Sequence, residues 1–143
     1  MLGHMQRDNA GLEVLSRDDS LFLLGSTPVG RVVFTDRALP AVQPVNFVIH
    51  DDTIVFRTGE GTKLAAAVIA PQVAIEADHV DSVTTRAWSV VVKGRAERLE
   101  RFADIYYAEE LPLPAWTSHP KQWFVRVQPT EITGRAFTAV TTG

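Results

Sequence analysis

The chain has 143 residues and no cysteine, so it is sized for one domain and can hold neither a disulfide nor a Cys-ligated metal or iron–sulfur centre. A net charge of −3 gives no electrostatic footprint for nucleic acid. The apolar runs fall far short of the roughly 20 residues of a membrane-spanning helix, and the first residues carry no apolar signal core, so a cytoplasmic protein with no membrane partner is expected.

Residues 1–11 are polar and are expected to form a flexible tail outside the fold. Ser16 followed by Asp19 is a shortened capping box, which predicts a helix over about 17–25 stopped by Gly25 and Pro28. Val29–Thr35 reads as a strand, Asp36-Arg37 as a turn, and Leu39–Ile49 as a long strand. Pro40 and Pro44 each remove a backbone donor from that strand, so it should be bulged or lie at an edge there. Asp51-Asp52 marks a hairpin, with Thr53–Thr58 returning. An Ala-rich helix over Leu64–Ile69 is expected to end at Pro71, and a strand over Val73–Ala77 precedes a polar loop at 79–85. Ala87–Leu99 is a further long strand, Arg101–Leu111 a helix, and Leu111–Pro114 a stiff connector. Trp123–Val127 and Glu131–Phe137 close the chain as two strands separated at Pro129. Many short strands with few helices predict a mainly β fold, a barrel with helical decoration.

The segment Arg57-Thr58-Gly59-Glu60-Gly61-Thr62-Lys63 leaves a strand and opens a helix. Helix starts present unpaired N–H groups and partial positive charge, so a lysine in the first turn is better tolerated beside an anion. Arg57, Lys63, the two threonine hydroxyls and the glycine-flanked amides together suit a phosphate. The alternative is a solvated turn whose lysine extends into water. The Walker phosphate loop does not fit, because Thr62 separates Gly61 from Lys63, and the dinucleotide Gly-x-Gly-x-x-Gly pattern fails at Leu64.

In order, Val29-Gly-Arg-Val-Val-Phe34, Pro44-Val-Asn-Phe47, Val55-Phe-Arg-Thr58, Gly61-Thr-Lys-Leu64 and Trp88-Ser-Val-Val-Val-Lys-Gly94 resemble the pyridoxamine 5′-phosphate oxidase-like family of flavin-binding split β-barrels. The resemblance covers about Ser16–Gly134. It implies a single split-barrel flavin-binding domain over 12–143. It also implies an FMN-dependent oxidoreductase acting on a small-molecule substrate, as a homodimer with the flavin at the subunit interface.

The same resemblance implies residue roles. Pro44, Val45, Asn46 and Phe47 would run beside the isoalloxazine ring. Arg57 and Thr58 would contact the ribityl phosphate. Thr62 and Lys63, followed by Leu64, would grip it. Ser89, with Trp88 beside it, would approach the ring from the partner subunit. Asn46 as a solvent-facing strand residue, and Trp88 and Trp123 as core or dimer-interface residues, remain open alternatives. A single phosphate cradle favours FMN over FAD. Family members that use the deazaflavin F420 supply an alternative cofactor, and a non-enzymatic flavin-binding or sensing module an alternative function. The C-terminal segment lacks the Arg-x-His-x-Arg cluster that holds the vitamin B6 phosphate in the oxidases, which argues against a vitamin B6 substrate. His4, His50, His79 and His119 are scattered, with no metal-ligand spacing, so no metal or haem is expected. No acid–base or nucleophile constellation marks catalytic residues.

Overall fold

The computed structural model describes residues 6–67, 72–113 and 122–138. In chain order the elements are β1 (Gln6–Arg7), β2 (Glu13–Val14), α1 (Arg17–Gly25), β3 (Val29–Asp36), β4 (Leu39–His50) and β5 (Thr53–Gly59). They continue with α2 (Lys63–Ala67), β6 (Gln72–Val80), β7 (Arg86–Arg98), α3 (Phe102–Glu109) and β8 (Gln122–Thr138). The strands lie in the order β1-β2-β8-β5-β4-β3-β6-β7, and a further β7–β8 pairing closes six of them into a barrel. The fold is thus mainly β, a split barrel with three short helices among the described residues. No helix among the described residues is long and apolar enough to cross a membrane.

Local chemistry explains most of these elements. The Ser16 hydroxyl accepts the Asp19 N–H at 3.1 Å and starts α1, which buries Leu21 and Leu24 against the barrel. Two-residue turns join β3 to β4 and β4 to β5, and both use left-handed backbone: φ is 51° and 65° at Arg37 and Ala38, and 49° and 59° at Asp51 and Asp52. Such turns match the right-handed twist of the strands they join, and aspartate tolerates them better than most residues. The expected stop at Pro71 lies outside the described residues, as does Pro114.

Two apolar clusters follow from strand alternation. The barrel interior holds Val32, Ile54, Phe56, Leu64, Ile75, Val90, Val92, Val125 and Val127, all 0% exposed. A second cluster on the outer face of β5 and β8 joins Val55 and Phe124 to Leu99, Ala108 and Leu113 under α3.

Three expectations need correction. The polar stretch from residue 79 is not wholly loop: β6 runs on to Val80, and a turn begins at Asp81, whose carboxylate accepts the Val83 and Thr84 N–H groups at 2.8 and 3.0 Å. The two closing strands are one continuous 17-residue strand, β8. Pro129 is accommodated because the register against β7 shifts between Lys93 and Gly94, so the missing donor falls at a bulge. Residues 6–11 do not lie loose: Gln6 and Arg7 pair with β2, and Asp8 holds Arg135 at 2.9 Å.

On the outer face of β6, Glu76 and Asp78 share Arg31 of β3, at 2.9 and 3.7 Å. Partial burial, reinforced by Asp78, pushes the Glu76 carboxyl from 4.5 up to about 7, against the pull of Arg31. Between those values the folded chain keeps a proton that the unfolded chain has released. Stability therefore falls as pH rises through this window, and the loss is complete above about 7. Glu76→Gln is expected to flatten this slope. Melting temperatures of both proteins at about pH 5 and about pH 8 measure it, and equal slopes would show that Glu76 is not its source.

Candidate flavin-phosphate site

The end of β5 and the start of α2 meet in a short turn. The Thr58 side chain is buried, and its hydroxyl lies 2.9 Å from that of Thr62. Thr62 Oγ1 also donates to the Gly59 carbonyl at 2.9 Å and accepts the Ala65 N–H at 3.0 Å, so this residue caps α2. Gly61 takes φ +82°, which a side chain would resist. Leu64 is fully buried and pins the turn to the barrel core. Lys63 stands in water, its side chain 78% exposed, and among the described residues its one ion pair is a long one to Asp36 of β3 at 3.8 Å. The turn therefore gathers Thr58, Thr62 and Lys63.

Arg57 stands apart from that group. Strand alternation sends it to the opposite face of β5 from Thr58, where its guanidinium lies 4.8 Å from the centre of the Phe124 ring. Its Nε is buried without a hydrogen-bond partner among the described residues.

The neighbouring part of β4 lies on the other side of β5 from Phe124. Residues Phe47–His50 of β4 pair with β5, whereas Leu39–Asn46 pair only with β3 among the described residues. The barrel wall thus splits between β4 and β5 beyond the Phe47–Phe56 pair. Val45 and Phe47 turn into the core. Asn46 lies on the other face, where one further step of register would set it across from Arg57. It is buried, not solvent-facing, and its Nδ2 also lacks a partner among the described residues. A buried donor left unpaired costs about 1–3 kcal/mol. Two of them on one face at the mouth of a split fit an acceptor-rich ligand lying along the unpaired half of β4. Pro44, at the exposed part of that half, has no N–H to offer.

Trp88 and Ser89 face opposite ways. Trp88 faces inward, packed against the barrel core with His79 and Ala136 as its cross-strand partners. Ser89 faces outward, between Asp78 and Arg135. Strand period alone carries this separation. The sequence reading missed the capping role of Thr62, for which the signal is a threonine just before an Ala-rich run; the burial of Asn46 has no such signal, because it depends on where β4 leaves β5.

A family model described as pyridoxamine 5′-phosphate oxidase matches residues 16–136, and the chain belongs to that family. Among solved structures, the FAD binding protein of Mycobacterium smegmatis is 41% identical with a TM-score of 0.76, over 87% of this chain and 98% of that one. A Corynebacterium glutamicum protein provisionally named for pyridoxamine 5′-phosphate oxidase is 35% identical with a TM-score of 0.78, over 95% of this chain and 100% of that one. An uncharacterized protein of Mycobacterium tuberculosis is 36% identical over 84% of this chain and 82% of its own length.

Proposed function

We propose that the chain is an FMN-binding oxidoreductase that works as a homodimer on a small-molecule substrate. The observation that carries this reading is the pair of buried, partnerless donors on Asn46 and Arg57 beside the split between β4 and β5, with the Thr58–Thr62–Lys63 turn at the same end of the barrel. Lys63 would hold the phosphate by charge, and Thr58 and Thr62 would orient it by their hydroxyls. The Asn46 amide and Arg57 Nε would donate to acceptors along the ribityl chain and ring edge. The bound flavin would supply hydride and single-electron chemistry, which the side chains cannot. The protein's part would be to position the ring and exclude water from it.

A dimer suits the exposed apolar residues Leu39 (68%) and Val42 (61%) on the unpaired half of β4, which a second subunit would cover. The site would then be shared, and flavin would stabilise the assembled state by mass action. The reading does not extend to vitamin B6: Arg135, the one cation in the C-terminal stretch Gly134–Phe137, is engaged by Asp8.

FAD is the second reading, favoured by the name of the 41% identical M. smegmatis protein. Mass spectrometry of heat-released cofactor, with light scattering before and after its removal, tests the proposal. FMN and a flavin-strengthened dimer are the expected result. FAD would move the second reading to first place, F420 would replace flavin altogether, and a monomer that keeps its flavin would end the shared-site reading.

A further inference from the structure

The inward turn of Trp88 leaves it with a different neighbourhood, at the other end of β8 from the phosphate turn. Thr58 pairs with Trp123 near the start of β8, and Trp88 pairs with Ala136 near its end. There α1, β2, the β6–β7 turn and β8 enclose a groove of about 420 Å³. That volume falls in the range of small-molecule sites, roughly 300–1,000 Å³.

The lining has a definite character. Trp88 and Phe22 supply aromatic surface, and Phe22 is 77% exposed, an unusual position for a large apolar ring. No hydrogen bond engages the Trp88 indole N–H among the described residues. Glu13, Asp19 and Asp81 bring three carboxylates, against the single guanidinium of Arg86 and the imidazole of His79. Arg86 is already taken by Glu13, at 2.8 Å. Asp81 is held ionised by the N–H groups of Thr84 and Val83, which draw its carboxyl below the ordinary value. Asp19, on the first turn of α1, has no cation of its own among the described residues. The groove therefore combines aromatic faces with negative charge in excess.

We propose that this groove binds a small aromatic amine, with its ring against Trp88 and Phe22 and its ammonium group toward Asp19 and Asp81. Aromatic faces and carboxylates both attract an organic cation, and the same carboxylates repel an organic acid of equal size. The site is independent of the flavin reading, because none of its walls belongs to the phosphate turn or to the split between β4 and β5.

The test titrates three matched probes into the full chain, carrying whatever cofactor it purifies with: tyramine, the neutral 4-ethylphenol and the anionic 4-hydroxyphenylacetate. Amide and indole chemical shifts report both place and affinity. Tyramine is expected to shift Trp88, His79 and the start of α1, and to bind roughly three- to tenfold more tightly than the phenol, with the acid weakest. Asp19→Asn and Phe22→Ala alter exposed side chains, so the fold should survive, and each is expected to weaken tyramine by roughly threefold or more. Equal affinity for the three probes would overturn the proposal. So would shifts that map away from the groove, or none at up to about 10 mM tyramine.

Discussion

Lys63→Ala is expected to weaken FMN binding by roughly tenfold or more, about 1.5 kcal/mol, without unfolding the chain. The side chain is 78% exposed and buries nothing, so its removal leaves the α2 turn intact. What it removes is the ammonium group of the Thr58–Lys63 turn. Asp36, 3.8 Å from the same ammonium, competes for it and repels a phosphate. Asp36→Asn should therefore act in the opposite direction and tighten binding by a few-fold, within the small energies of exposed ion pairs. Titration of the cofactor-free proteins by flavin fluorescence measures both. Unchanged affinity in Lys63→Ala would remove the phosphate from this turn, and weaker binding in Asp36→Asn would remove the competition.

Gly94→Ala is expected to be the most damaging small substitution in the barrel, at about 2–4 kcal/mol. A Cβ at Gly94 would run into the backbone carbonyl oxygen of Gln128 and stand 2.9 Å from Val127 Cγ1. Backbone in a paired strand cannot step aside as a side-chain tip can. The site is also the register shift that lets β8 pass Pro129, so strain there disturbs the longest pairing in the fold. Gly61→Ala is the contrast: nothing lies within 4 Å of its Cβ, and only the φ of +82° is strained, at about 1 kcal/mol. Thermal unfolding should show a drop of roughly 5–15 °C for Gly94→Ala and a few degrees for Gly61→Ala. A similar small drop in both would mean that the β7–β8 contact yields more easily than its geometry implies.

Most elements were legible because each rests on short-range chemistry. Ser16 and Asp19 announce α1, alternation in Trp88–Val92 announces β7, and the Asp51-Asp52 turn announces a hairpin. The misreading at Pro129 has a long-range cause, since whether a proline ends a strand or sits at a bulge depends on Gly94 in a partner strand some 35 positions away. The tail was misjudged for a similar reason: Asp8 is ordered by Arg135, at the far end of the chain. At the candidate site, residue types were readable but grouping was not. Arg57 and Thr58 are adjacent in sequence and face opposite ways, as do Trp88 and Ser89. Asn46 reads as an ordinary strand polar residue until β4 parts from β5 and leaves it buried.

That parting bears on solubility as well as on ligand binding. The Leu39–Asn46 half of β4, paired on one side only among the described residues and carrying exposed Leu39 and Val42, is a template onto which another chain can add. Pro40 and Pro44 fall within this stretch, and neither can donate to an incoming strand. The two prolines that interrupt the strand in the sequence thereby make its free edge a poor seed for aggregation, while leaving the apolar side chains available to a partner that docks by its surface.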